Sequence, residues 1–509
     1  MKTIKGLILG STAALLAVGG AQAADLPVKA KAVEYVKICS LYGAGFYYIP
    51  GTDTCIKIGG AIRIDTSFNA NAYDTPFYQG GAGGNNLWTK DYFVTRERIN
   101  LTTDTRTASE YGVVRTYANI QFDFSQNRES IAGGFTEVDF AFIQFAGFTF
   151  GKAVSQFDPQ WALSKPYISS GFLNGSNNST GLPQIAYTAS FGNGVSATIS
   201  LENASPYRNA GLWNTNTFIV GPGAGSFTGA FYGTNSNTFL GNAIGGNHIP
   251  DVVGNIRLDQ AWGTLHFGAA MHAATPGFYA GTENLGHADD KYGFAVNGAV
   301  EFKNLPTGAG DSLKLEATYA QGAAKYVFGG TNDSAGAGRY AKVDGNTIGF
   351  GYVLDGVYAT NGQITQSEAW SVAGFYEHYW NPAWRTSLFG SYSSISYGDG
   401  NAQMLAAFQG LTTGGPGANS SSAAAARAGT FVGTGNFDFA IAQIGTRTAW
   451  TPVKNLTLSA EFTYSRLEQN LNGTYTSIGS GLSGKPAGTV LNTSNQNLYN
   501  GSVQILRSF

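Results

Sequence analysis

Charge is scarce in this chain. Asp, Glu, Lys and Arg together make up 12% of its 509 residues, about half of the ~25% usual in soluble domains. Histidine occurs five times and cysteine twice. The two cysteines have no histidine near them, which leaves too few ligands for a structural zinc site; neither a metal nor any other cofactor is expected. The formal net charge is only −2, and no basic patch is concentrated anywhere, which argues against a nucleic-acid partner. Long apolar runs are missing too. Beyond residue 23 none approaches the ~20 residues a membrane-spanning helix needs. A helical membrane protein is excluded.

Glycine and aromatics are abundant instead: 70 Gly, 33 Phe and 27 Tyr. A transmembrane β-barrel accounts for both the surplus and the deficit, because its outer band faces lipid, where charge is costly. The start of the chain agrees. Lys2 and Lys5 form a short basic head, Gly6 to Val18 is uncharged and apolar, and Ala21-Gln22-Ala23 is an A-x-A cleavage site. This reads as an export signal over residues 1–23, with an uncleaved anchor as the other reading. Its removal takes two of the 30 basic residues, leaving 28 against 32 acidic, a balance of −4. Export also bears on Cys39 and Cys55. An even count in an oxidising compartment favours one disulfide between them over two free thiols.

Along the rest of the chain the period is two. Arg96, Arg98 and Asn100 share one face of a strand whose other face carries Ile99 and Leu101. Arg115, Asn119, Gln121 and Asp123 alternate with Val114, Ile120, Phe122 and Phe124. Each segment has one wet face and one greasy face. Sixteen strands are expected, over 56–68, 91–104, 111–124, 136–145, 148–155, 184–191, 195–203, 251–260, 264–273, 290–302, 312–320, 367–380, 384–397, 437–450, 456–469 and 497–509. Thr347 to Leu354 is also strand-like. Short connections follow the even strands and long ones, such as 204–250, 321–366 and 398–436, follow the odd strands. Outer-membrane barrels have this alternation of short periplasmic turns and long external loops. Trp262, Trp380, Trp384 and Trp450 lie beside expected short turns, where an interfacial girdle would place them. The expected organisation is a signal at 1–23, an N-terminal periplasmic or entry segment with the Cys39–Cys55 bridge at 24–55, and an all-β, antiparallel transmembrane barrel at 56–509.

Three longer stretches carry a resemblance. The block from Ala24-Asp-Leu-Pro-Val-Lys through Cys39 and Cys55 to Ile56-Lys-Ile-Gly-Gly60 resembles the mature start of the alpha-proteobacterial outer-membrane porin family. Phe142-Ile-Gln-Phe-Ala-Gly-Phe-Thr-Phe-Gly-Lys152 and Tyr379-Trp-Asn-Pro-Ala-Trp-Arg-Thr-Ser-Leu-Phe-Gly-Ser-Tyr392 fit it as well. The resemblance implies a sixteen-stranded homotrimer in outer-membrane lipid, each barrel enclosing a water-filled pore narrowed by an inward-folded third external loop. By position that loop is Phe157 to Pro183. Its charges are Asp158 and Lys165, which departs from an acidic constriction loop.

A pore works through geometry and field. Arg63, Arg96, Arg98 and Arg115 fall on the wet faces of the first three strands and form the candidate basic wall opposite the loop; pairing with Asp65, Glu97 or Asp123 is the alternative. Asp158 and Lys165 are the candidate loop charges, and His266 and His272 are expected to line the lumen. The expected function is passive diffusion of small hydrophilic solutes and ions. A sugar-specific channel using Trp161, Tyr167 and Phe172 is the alternative. No Ser-His pair suggests a barrel lipase, so an enzyme is not expected. An adhesin would place function in loops 204–250 and 398–436. Gly479 to Lys485 has phosphate-loop spacing, but Pro486 stands where Ser or Thr is required.

Overall fold

A strand is the element that sends alternate residues to opposite faces, and the alternation runs through sixteen segments. In the computed structural model they are β1 Cys55–Phe68, β2 Phe93–Ser109, β3 Gly112–Ser125, β4 Phe135–Phe145, β5 Phe148–Ala153, β6 Leu182–Gly192, β7 Val195–Glu202 and β8 Asp251–Gln260. They continue as β9 Gly263–Ala274, β10 Lys291–Lys303, β11 Ser312–Gln321, β12 Glu368–Asn381, β13 Trp384–Ser396, β14 Gly429–Val453, β15 Leu456–Ser477 and β16 Gln496–Ser508. The structure describes residues 37–69, 92–125, 135–168, 172, 174–176, 180–203, 210–215, 244–279, 283–329, 339–359, 361–413, 429–477 and 486–509. The expected export signal, the start of the 24–55 segment and the phosphate-loop spacing lie outside them.

Neighbouring strands pair antiparallel, and β1 pairs with β16 as well as β2, so the sheet closes into a sixteen-stranded barrel. The expected segments are the observed strands to within a few residues, except at two places. Strand β14 begins at Gly429, eight residues before 437, and β15 runs to Ser477, eight past 469, the two continuing as a paired ribbon beyond a register shift between Gly435 and Phe439. Strand β5 stops at Ala153, where the chain turns away from the wall.

Burial separates the two faces. Ile62, Ile99, Phe122, Ile185 and Phe267 are exposed on the outside, whereas Arg96, Gln121, Asp123 and Ser387, on alternate positions, are buried. Lipid is the medium that suits that outer face. Short turns close one end. At Gly192-Asn193-Gly194 all three residues have positive φ, and a side chain at Gly194 would meet the Asp259 carbonyl at 1.9 Å. Trp262, Trp380, Trp384 and Trp450 lie exposed at this end, with the last two rings stacked at 5.5 Å. Asp311, in the turn before β11, faces His378 Nδ1 at 2.7 Å and accepts from Thr307 Oγ1 at 2.6 Å and the Tyr379 amide at 2.9 Å. Burial alone would raise its carboxyl; these hydrogen bonds outweigh it and hold the group down at about 2, so the turn stays charged above that pH.

Cys39 and Cys55 form a disulfide, with Cα atoms 6.1 Å apart. It fastens a short ribbon, Tyr47–Tyr48, onto the start of β1, with Arg106 over the Phe46 ring at 4.9 Å. Closing a loop of this length is worth roughly 3 kcal/mol. Cys39→Ser with Cys55→Ser should therefore leave the barrel folded and make residues 37–54 sensitive to protease. Equal resistance of reduced and oxidised protein would contradict this.

The long external connections are structured where described. Gly211–Asn214 pairs in parallel with Leu354–Tyr358, and Gly400–Thr413 is a helix. Thr347–Tyr352, inside the strand-like stretch noted in the sequence, forms a hairpin with Arg339–Asp344. It leaves the count of sixteen wall strands unchanged.

Candidate functional site

The register of the first three strands decides where the predicted basic wall falls. Arg63 lies opposite Arg98, and Arg98 opposite Asp123. Asp65 lies opposite Arg96. Two like charges directly opposite are unfavourable, and each guanidinium turns to an acid instead. Arg63 Nε donates to Asp65 at 2.7 Å, Arg96 Nη2 to the same carboxylate at 2.9 Å, and Arg98 Nε to Asp123 at 2.7 Å. Gln504 on β16 completes the shell of Asp65 at 3.0 Å. The local pairing weighed from sequence is present for Asp65 and Asp123. Glu97 is not part of it, since it lies opposite Ile64 and Phe124 on the outer face.

Arg115 is elsewhere. It is opposite Arg106, and both bind Asp104. From Asp123 to Arg115 the chain runs eight residues, roughly 26 Å along β3 at ~3.3 Å per residue. Three of the four predicted arginines thus form one cluster, and Arg115 belongs to a second one nearer the short turns, lying over the Tyr117 ring at 5.2 Å.

The connection between β5 and β6 touches walls nearly all the way round the cylinder. Ser155 Oγ and the Gln156 amide donate to Glu202 on β7 at 2.7 and 2.8 Å. Gln160 donates to Asp259 on β8 at 2.7 Å, and the Phe157 carbonyl lies 2.9 Å from His266 Nε2 on β9. Lys314 on β11 donates to the Ser164 carbonyl at 3.0 Å, and Ser387 on β13 to the Pro166 carbonyl at 2.7 Å. The Ile168 amide reaches Glu461 on β15, and its carbonyl accepts from Arg63 on β1 at 3.1 Å. All these wall residues lie on the polar face. Glu202, Glu461 and Ser387 were not singled out from sequence. Their alternation marked them as wet-face residues, but nothing local marked them as the ones that hold the loop.

The predicted loop residues are buried. Lys165 is 8% exposed and Asp158 9%. Lys165 Nζ donates to Asn174 Oδ1 at 2.5 Å and Ser176 Oγ at 2.7 Å, and Ser176 donates on to Glu316 of β11 at 2.6 Å. Trp161 and Phe172 pack with Tyr167 on Phe375 and Phe389 of β12 and β13, with Phe172 and Phe389 edge to face at 5.1 Å. The aromatics considered as a sugar track are thus occupied in packing. His266 faces the loop, as its wet-face position implied. His272 sits between Asp251 and Asp355, at 2.7 and 3.3 Å.

Among the described residues no group of three or more His, Cys, Asp or Glu could hold a metal ion. What the site offers is a polar wall with guanidinium and carboxylate groups in fixed places, and a peptide segment strung across the polar interior.

Known proteins share this plan. The channel DcaP of Acinetobacter baumannii superposes with a TM-score of 0.54 at 15% identity, over 91% of this chain and 99% of its own, which establishes a common fold. The porin Omp2b of Brucella suis and that of Brucella abortus are each 31% identical over 271 residues. That alignment takes in 52% of this chain and 64% of the relative, so the similarity spans somewhat less than two thirds of their length. The family model described as "Porin subfamily" matches residues 25–498. With nearly the whole chain inside that match and a barrel of sixteen strands around a polar interior, this protein belongs to the porin subfamily.

Proposed function

We propose that the barrel is a passive channel through which small hydrophilic solutes and ions cross the outer membrane. One observation carries the reading: a closed cylinder, apolar outside and polar inside, whose interior is crossed by the β5–β6 connection. A sixteen-stranded barrel is wide enough to enclose water, so whatever folds into it, the crossing segment included, narrows the path, and the nearby charges set the ion preference. In this reading Arg63, Arg96 and Arg98, with Asp65 and Asp123, form the charged wall of the narrow zone. Arg115 acts near the periplasmic opening. Asp158 and Lys165 anchor the crossing segment. Residues 1–23 act as the export signal and 24–55 as a periplasmic entry segment. Three copies side by side in lipid are the assembly that the family resemblance supports.

Purified protein in planar bilayers should give discrete, ohmic current steps. In liposomes it should admit sugars at rates that fall steeply with size. Membranes that stay electrically silent and impermeable to the smallest sugars would refute the channel. Current blocked in a saturating way by one solute class would transfer the reading to a specific channel.

A further inference from the structure

The polar lining does not run evenly round the barrel. Near the external end the inward positions of the second half of the wall turn apolar, as at Val253, Ala295, Ile395, Ile441, Leu467 and Leu498, and all six are buried in one large apolar cluster. The material that buries them comes from external connections, chiefly the one between β11 and β12. Phe328, Val343, Ile348, Phe350, Leu354 and Val357 of that connection belong to the same cluster. Among the described residues, β1 to β7 contribute nothing to it. At their own inward positions they carry polar residues instead, some buried in mutual pairing, such as Asp65, Arg96 and Asp123, and others partly exposed, such as Arg63, Arg98, Asn100 and Asn119.

The hairpin Arg339–Asp344/Thr347–Tyr352 lies against the wall itself. A side chain at Gly351 would meet the Phe439 ring of β14 at 2.8 Å, and one at Gly349 would meet Gln496 at 2.6 Å and Leu467 at 3.5 Å. Gln496 Nε2 donates to Thr347 Oγ1 at 3.2 Å. The base of the same connection is fixed by buried charge. Lys325 Nζ and Tyr326 Oη reach Asp251 of β8 at 2.8 and 2.7 Å, and Asp355 accepts from the Ala324 amide at 2.8 Å. His272 of β9 sits between the two carboxylates. The Tyr326 ring packs on Phe157 at 4.5 Å, joining this connection to the one between β5 and β6.

We infer that the β11–β12 connection is a second inward-folded loop, which fills the β8–β16 side of the outer lumen and confines the solute path to the β1–β7 side. This rests on the channel reading above. It makes the hairpin 339–352 a determinant of pore width, and it obliges solutes to pass the Arg63–Asp65–Arg96 and Arg98–Asp123 groups. The apolar residues that face the hairpin from β14, β15 and β16 are its seat.

The test replaces Tyr340–Leu354 with a short Gly-Ser linker. Single-channel conductance should rise about twofold, because the filled arc spans more than half of a barrel otherwise wide enough for water, and larger sugars should enter liposomes. Conductance and sugar cut-off equal to wild type would overturn the inference while leaving the channel intact. A wild-type protein that carries no current would overturn the channel reading itself. A second arm keeps the hairpin in place. Asn100→Cys on β2 and Ser393→Cys on β13 are each treated with a small cationic methanethiosulfonate during current recording. Ser393 is fully buried and Asn100 only partly so. Current should change for Asn100→Cys alone; equal, rapid modification at both sites would mean the path is open all round and would overturn the proposal.

Discussion

Asp65→Ala is expected to swing ion preference toward anions. In the structure one carboxylate, 3% exposed, receives Arg63, Arg96 and Gln504. Removing it leaves two guanidiniums without their shared counter-charge on the wall that the proposed channel presents to solutes. Two unit charges about 4 Å apart interact by about 4 kcal/mol at an effective dielectric of about 20, so the potential along that wall changes strongly. Only about 1.4 kcal/mol is needed for a tenfold change in the occupancy of an ion. Reversal potentials in a salt gradient should therefore move severalfold in permeability ratio toward chloride. The double variant Asp65→Ala, Arg96→Ala removes one charge of each sign and should return most of the way. A single variant with unchanged selectivity would show that the cluster stiffens the wall and lies off the solute path.

Trp161→Ala with Phe172→Ala should release the segment that crosses the interior. Both side chains are buried against β12 and β13, at 3% and 0% exposure. Truncating a buried Phe or Trp costs about 3–5 kcal/mol in well-packed sites. That cost falls on the attachment of the loop, because the sixteen-strand ladder is held by backbone hydrogen bonds the variant does not touch. Larger and noisier current steps are expected from a barrel whose gel mobility before and after heating matches that of wild type. Lys165→Met should give a milder form of the same effect, since its partners Asn174 and Ser176 lie on the loop itself. Quiet, wild-type steps from the Trp161/Phe172 variant would place the limiting width elsewhere.

The two loop charges show how far sequence reading reaches. Asp158 and Lys165 stood out because they are ionisable residues in a loop poor in charge. Their role depends on which walls the loop meets, and those walls are contributed by strands from 46 to 293 residues away. Strand periodicity is a local property, and sixteen segments are legible from it with small boundary errors outside the β14–β15 ribbon. Register is also nearly local: once β1, β2 and β3 are aligned, the pairing of Arg98 with Asp123 follows. Arg115 shares its face with the other arginines, and only the alignment of the strands in height separates it from them. The apolar seat inferred for the β11–β12 hairpin also has a signal in the sequence. The wet face turns from Lys314, Glu316 and Thr318 to Ala320 along β11, from Gln443 to Ile441 and Phe439 along β14, and from Glu461, Thr463 and Ser465 to Leu467 along β15. A polar face that loses polarity at one end is a face that something covers.

The seam between β1 and β16 has a consequence for biogenesis. Ser67 meets Ser502 across it, 435 positions apart in sequence, and the Phe509 amide and the Gly60 carbonyl pair at 3.0 Å. No stretch of chain shorter than nearly all of it can make this junction. Until it forms, the sheet has two unsatisfied margins, each a template for pairing with a stranger. Loop closure over such a span is slow to be rewarded by contacts. An unsealed polypeptide is therefore expected to aggregate in water, and a copy truncated before β16 should fail to insert as a stable barrel.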